Sequence, residues 1–204
     1  MIRDRKIDSR DYFDRLASHY DRHYYGRHGR DQYQRVAAAA KGWEFSSVLD
    51  VGCGTGALLA RLEGPHVKAA GADLSPQMIA EARKRLGKTA DLRVADSETL
   101  PWEAGSFDLV VTTDSLHHWP NPLRAFTEMH RVLKKGGHVV VADVTAPALI
   151  RHLSNWFVQY GKEGDVKVYS AAELEVMLRE AGFVTTTLEH LSFMAVVVSA
   201  GTGA

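Results

Sequence analysis

Three glycines in five positions, Gly52, Gly54 and Gly56 in "VLDVGCGTGALLARL", stand between an apolar run and a run with helical character. Glycine there permits positive φ and lets a ligand lie directly against the backbone. The helix N-terminus behind it offers unpaired N–H groups. A phosphate would suit that geometry, and "GCGTGA" also satisfies a permissive dinucleotide fingerprint with alanine as its last member. The glycines alone therefore leave the ligand open, and the carboxylates around them narrow it. Asp50 precedes the loop, Asp73 ends the second apolar strand and Asp96 ends the third. An acid at Asp73 would accept both hydroxyls of a ribose, which either nucleotide class would use. Asp50 places negative charge where a pyrophosphate would be repelled and where a ligand bearing an ammonium and a sulfonium would be attracted. Asp96 is positioned to accept from an exocyclic adenine amine, with the backbone N–H of Ser97 available for a ring nitrogen.

These residues need elements to hold them, and the hydrophobic periodicity supplies an alternating series. "SSVLDV", "VKAAGADL", "DLRVAD", "FDLVVTTDSL" and "HVVVADV" read as short buried strands. "GALLARLEG", "SPQMIAEARKRLG" and "NPLRAFTEMHRVLKKGG" read as helices between them. In the second of these Ser75 caps, Pro76 takes the first helical position and Gly87 closes. Such alternation predicts a parallel sheet with helices on both faces. After the capped helix "SAAELEVMLREAGF", "VTTTLEHL" and "FMAVVVSA" are joined so tightly that they must form an antiparallel hairpin. The fold class is α/β, a Rossmann-like doubly wound, seven-stranded, mostly parallel sheet with an antiparallel C-terminal hairpin strand. At the N-terminus Tyr12, Leu16, Tyr20 and Tyr24 line one face of a helix, "GRHGRDQYQ" reads as a loop and "QYQRVAAAAKGW" as a second helix. Residues 1–204 are read as one domain, with a helical cap over 1–45, a core over 46–145, a substrate-side insertion over 146–170 and the helix and hairpin over 171–204.

Composition bounds the function. Among 204 residues, 25 Lys and Arg balance 25 Asp and Glu, so no global charge recruits nucleic acid or an anionic membrane. The single cysteine, Cys53, forms no intramolecular disulfide and fits a reducing compartment. The N-terminus is charged throughout and no apolar run approaches the roughly 20 residues of a membrane span, so a cytoplasmic location is expected. His19 and His23 have the spacing of a helical metal pair but lack a third ligand at matching spacing, and no metal is expected.

The blocks "VLDVGCGTG", "GADLSPQMI", "VADSETLPWEAGSFDLVVTTDSLHHW" and "EMHRVLKKGGHVVVAD" resemble, in order and spacing, the class I S-adenosylmethionine-dependent methyltransferases. The N-terminal "YFDRLASHYD" is similar to the corresponding helix of small-molecule methyltransferases of the quinone-biosynthesis type. The resemblance implies S-adenosyl-L-methionine as cofactor, its methionine part held at Asp50, Gly52 and Gly54, its ribose at Asp73 and its adenine at Asp96 and Ser97. Leu74, Met78 and Ser115 would line the same site, and Tyr20 would close over the methionine end. Cys53 occupies the loop as a packed small residue in contact with the cofactor site, not as a nucleophile.

Transfer from a sulfonium is an in-line displacement that alignment and water exclusion can largely drive. Where the acceptor is a hydroxyl or an acidic carbon, a base helps, and the candidates are His117 and His118 beside Trp119. The expected acceptor is a small apolar or aromatic molecule, with neither nucleic acid nor membrane as partner and a homodimer as the oligomer considered. The alternatives are a non-catalytic S-adenosylmethionine-binding protein and a tRNA or rRNA methyltransferase. Against the latter, "TTDSLHHW" lacks the Pro-Pro-aromatic arrangement that grips a flipped base. A nicotinamide oxidoreductase is disfavoured because no Tyr-x-x-x-Lys pair is present.

Overall fold

The computed structural model describes residues 4–192 and 195–203. Its centre is a seven-stranded sheet of order β3-β2-β1-β4-β5-β7-β6. β1 (Ser47–Val51), β2 (Lys68–Asp73), β3 (Ala90–Val94), β4 (Phe107–Thr113) and β5 (Leu133–Val144) are parallel. β7 (Ala195–Thr202) runs antiparallel between β5 and β6 (Phe183–Ser192). The expected parallel core and closing hairpin are both present. The strand order reverses between β1 and β4, and a crevice opens there at the carboxyl ends of the strands.

Period-two alternation divides the core into two layers. Leu49, Val51, Val110, Val139 and Val141 pack with Phe126 and Met129 of α5 (Pro122–Val132) and Leu174 and Leu178 of α7 (Ala171–Glu180). Their neighbours Val48, Leu109, Val111 and Val140 pack with Val36 of α2 (Tyr24–Ala40), Leu59 of α3 (Leu59–Leu62) and Ile79 and Ala82 of α4 (Pro76–Leu86). A parallel strand buried on both faces must be apolar on both, which is why β1, β4 and β5 read as nearly continuous apolar runs. The caps follow the sequence. Ser75 accepts from the Met78 N–H with Pro76 behind it, Gly87 closes α4 at φ 64°, and Ser170 and Glu173 form a reciprocal capping box on α7.

Three stretches differ from the sequence expectation. The N-terminal helix is not continuous. α1 (Arg5–Leu16) gives way to a 3-10 turn over Ala17–Arg22, where Asp21 is held by the Thr55 hydroxyl at 2.8 Å and by Arg85. The segment "GRHGRDQYQ" lies inside α2, not in a loop. Two glycines cost a helix about 1 kcal/mol each, and burial of Val36 and Ala40 farther along the same helix outweighs that. α5 stops at Val132, and "LKKGG" belongs to β5, whose pairing with β4 shifts register between Phe107 and Leu109. The aperiodic segment after β5 contains α6 (Ala148–Phe157) and a short 3-10 turn through Tyr160.

Candidate functional site

β1 delivers the glycine loop to the crevice, and each glycine serves a different neighbour. At Gly52, φ 77°, a Cβ would collide with the Ser115 side chain, so the loop after β4 can approach only because none is there. Gly54, φ 51°, faces open space, and a Cβ at Gly56 would stand 2.9 Å from Leu86 of α4. The N–H groups of Gly52 and Cys53 donate to the Ala72 carbonyl, tying the loop to β2. Cys53 is buried against Gly71, and burial pushes its thiol well above the usual range, as a packed and unreactive side chain requires.

The carboxylates converge on the same space. Asp73 accepts the N–H groups of Gly54 and Ser75, both at 2.8 Å. Burial raises its pKa to about 6 against the stabilising effect of those bonds. Asp50 is 2% exposed, and its Oδ1 is buried without a hydrogen-bond partner. Burial, with the Asp73 charge second, raises its pKa to about 8. Asp50, Gly52, Cys53, Gly54, Asp73, Leu74, Met78, Asp96, Ser97, Ser115 and Tyr20 all line one cavity, so every sequence-selected cofactor residue is brought together there. The Asp96 carboxylate also takes the ammonium of Lys6 at 2.6 Å, and Lys6 reaches Glu98 at 2.9 Å. α1 is thereby pinned over the Asp96 end of the cavity, an anchor the sequence did not indicate, since it put the first helix, through Tyr20, over the methionine end.

The opposite wall is aromatic. Phe13 sets its edge against His118, with ring centres 5.0 Å apart, and lies 6.2 Å from Tyr20. Tyr20 hydrogen-bonds Tyr33, and burial raises both phenols above the ordinary range. The side chain of Tyr24, expected on the same face, lies outside the described residues. β4 is followed by Asp114, whose φ of 49° turns the chain sharply and starts the histidine segment.

His118 lines the cavity, whereas His117 turns behind it to Asp143. Asp143, 2% exposed at the end of β5, takes His117 Nδ1 at 2.7 Å and the N–H groups of Leu116, Val144 and Ser115. Burial alone would lower the His117 pKa, but the charge and hydrogen bond of Asp143 outweigh it and lift it to about 9. His118 is held below its usual value by burial and by the neighbouring imidazolium, despite Asp165 at 2.9 Å. The site therefore favours a proton on His117, beside Asp143, and disfavours one on His118, the imidazole that faces the cavity. Asp165 comes from the segment after α6, which also bonds the His117 carbonyl through the Val166 N–H at 2.7 Å.

His117, His118 and Asp165 offer ligand atoms within 4.8 Å of one another. A cation there would have to displace the Asp165 contact of His118 and a proton of His117, so the cluster is accounted for by its own ion pairs. Among the described residues, His19 and His23 join no such group.

The sequence reading missed Lys6, Phe13, Tyr33, Asp114, Asp143 and Asp165. Asp143 carried a signal, since it ends a strand as Asp73 does. Tyr33 shares a helical face with Val36 and Ala40. Lys6 and Asp165 act from segments whose paths periodicity does not fix.

Residues 49–141 match the family model described as "Methyltransferase domain". The chain is 36% identical over 196 residues to a malonyl-[acyl-carrier protein] O-methyltransferase of Geobacter sulfurreducens, covering 90% of this chain and 72% of the relative. It is 32% identical over 216 residues to a demethylmenaquinone methyltransferase of Clavibacter sepedonicus, covering 92% and 86%. Two further curated relatives are spanned over only 56% and 64% of their length. The fold superposes with TM-score 0.80 at 18% identity on phosphoethanolamine N-methyltransferase 2 of Haemonchus contortus, solved with phosphomonomethylethanolamine and S-adenosylhomocysteine, over 96% of this chain and 60% of that one.

Proposed function

Because the chain belongs to the class I S-adenosylmethionine-dependent methyltransferases, we propose that it methylates a small apolar or ring-bearing acceptor between the glycine loop and the Phe13, Tyr20 and His118 wall. The observation that carries this reading is Asp50. Its buried, unpartnered Oδ1 beside Asp73 is a costly arrangement for a carboxylate, and a cationic ligand end would satisfy it. That chemistry fits the ammonium of S-adenosyl-L-methionine and not a pyrophosphate.

When bound, the cofactor supplies an electrophilic methyl on a good leaving group. Asp50 would hold the ammonium, with Gly52 and Gly54 leaving room beside it. Asp73, already fixed by two N–H groups, would accept the ribose hydroxyls, and Asp96 and Ser97 would take the adenine, with Leu74, Met78, Cys53, Ser115 and Tyr20 as walls. Asp96 must then share its carboxylate with Lys6 or release it. His118, its pKa held down by burial and by the neighbouring His117, would receive a proton from an acceptor hydroxyl or acidic carbon, while His117 orients the segment through Asp143. Phe13 and Tyr20, carried on α1 and the turn after it, would exclude water from the reacting centre.

No described helix is long and apolar enough to cross a membrane. With balanced charge, this supports a cytoplasmic enzyme working without a nucleic-acid partner, and we take the working unit to be a homodimer. Incubation of the pure protein with methyl-labelled cofactor and a panel of phenols, quinols and aromatic amines should transfer label to at least one of them. Label retained only in the cofactor, with that panel and with a metabolite extract, would favour a non-catalytic binder.

A further inference from the structure

A large share of the chain's exposed large apolar side chains sits on one helix. In α6 and the turn after it, Leu149, Ile150, Leu153, Trp156, Phe157 and Tyr160 are between 44% and 75% exposed. Their spacing is that of a single helical stripe, and α6 buries no residue. The polar side faces inward instead. Asn155 donates to the Val168 carbonyl at 3.0 Å and accepts the Val168 N–H at 2.8 Å, and Arg151 donates to the Ala146 carbonyl at 2.8 Å. A helix resting on a globular domain ordinarily buries its apolar side. Here the hydrogen bonds hold it the other way round.

We infer that α6 is the contact surface of the homodimer, its stripe packing against the same stripe of a second copy. The inference rests on the homodimer reading above and assigns its surface. Three aromatic and three aliphatic side chains so exposed offer on the order of 800 Å² per protomer, about what a standard interface takes from each partner. That exceeds the few hundred Å² a monomer commonly leaves in one patch. One self-complementary patch is what two-fold pairing requires, and a chain of zero net charge does not repel its copy. Charge also separates this occupant from a lipid surface. Interfacial helices line their polar side with free Lys and Arg, whereas Arg151 and Lys167 both turn to Glu173, at 3.9 and 2.7 Å. The segment leaving α6 carries Asp165 and Val166 to the two histidines, so docking α6 also steadies the acceptor side of the cavity.

Size-exclusion chromatography with light scattering tests this at protein concentrations on the order of 100 µM. The unaltered chain should run at twice its mass, and the Leu153→Glu, Phe157→Glu double variant at one chain mass with binding of S-adenosylhomocysteine retained. Val176→Glu, at an exposed apolar position on α7, should stay dimeric. Hydrogen exchange needs no variant, and dilution should raise exchange over residues 148–157 as dimers part. A double variant as dimeric as the unaltered chain would place the interface elsewhere and overturn the assignment alone. A monomeric unaltered chain would overturn dimer and surface together, while the label-transfer assay judges the enzyme separately. Co-sedimentation of a monomer with phosphatidylcholine–phosphatidylglycerol vesicles would give the stripe to a membrane and overturn it too.

Discussion

If Asp50 receives the cofactor's ammonium, binding must be linked to loss of its proton. In the free protein burial holds this carboxyl near a pKa of about 8, so at pH 7 most molecules carry it protonated. An ammonium at hydrogen-bond distance favours the ionised form and would return the pKa toward the ordinary carboxylate range. Each pH unit below the free-state value then costs about 1.4 kcal/mol, or roughly a factor of ten in affinity. S-adenosylhomocysteine, which keeps the ammonium, should bind roughly tenfold more weakly at pH 6 than at pH 7, a range in which its own amine stays protonated. Asp73, with a pKa of about 6, adds a shallower dependence at the acid end. Isothermal titration calorimetry in two buffers of different ionisation enthalpy reads both affinity and proton release, and close to one proton should leave at pH 7. Asp50→Asn should weaken binding by roughly 10- to 150-fold, the ~1.5–3 kcal/mol of a charged hydrogen bond, and flatten the profile between pH 7 and 8. Affinity in the unaltered chain that is level from pH 6 to 8, with no proton released, would refute the reasoning.

Gly52→Ala forces a Cβ at φ 77° into Ser115. It should cost about 1–3 kcal/mol in a denaturant titration and weaken cofactor binding because the loop must move. Asp143→Asn should return the His117 pKa from about 9 to near or below 6.5, read by NMR titration of the imidazole. A raised folded-state pKa adds stability that is complete below about 6.5 and is lost as pH rises through 9. The difference in melting temperature between the unaltered chain and Asp143→Asn should therefore shrink over that window. Ser75→Ala removes the cap of α4 and the 2.5 Å bond to Asp14 of α1. Its expected cost is about 1 kcal/mol, with faster hydrogen exchange over residues 5–16.

The parallel core was legible because each buried strand had to be apolar and each helix carried its own stop signal. Ser75, Pro76 and Gly87 behave as their chemistry dictates. The glycine loop and its acids were legible for the same local reason, since a strand end, a tight turn and a helix start are all short-range features. Tertiary contacts decided the rest. Val36 and Ala40 drew a glycine-containing stretch into α2, and Asp21, caught by Thr55 and Arg85, ended the tyrosine face after Tyr20. The two histidines looked equivalent in "DSLHHW". The position of Asp143 one strand away sets the inward His117, whose pKa it raises, apart from His118 at the cavity, whose pKa burial lowers.

A crystal structure with S-adenosylhomocysteine bound tests the central assignment most directly. The ammonium should lie within hydrogen-bond distance of Asp50 and the ribose hydroxyls on Asp73, with the sulfur turned toward the space before His118. A ligand whose amino-acid end sits away from Asp50, or whose ribose bypasses Asp73, would contradict it.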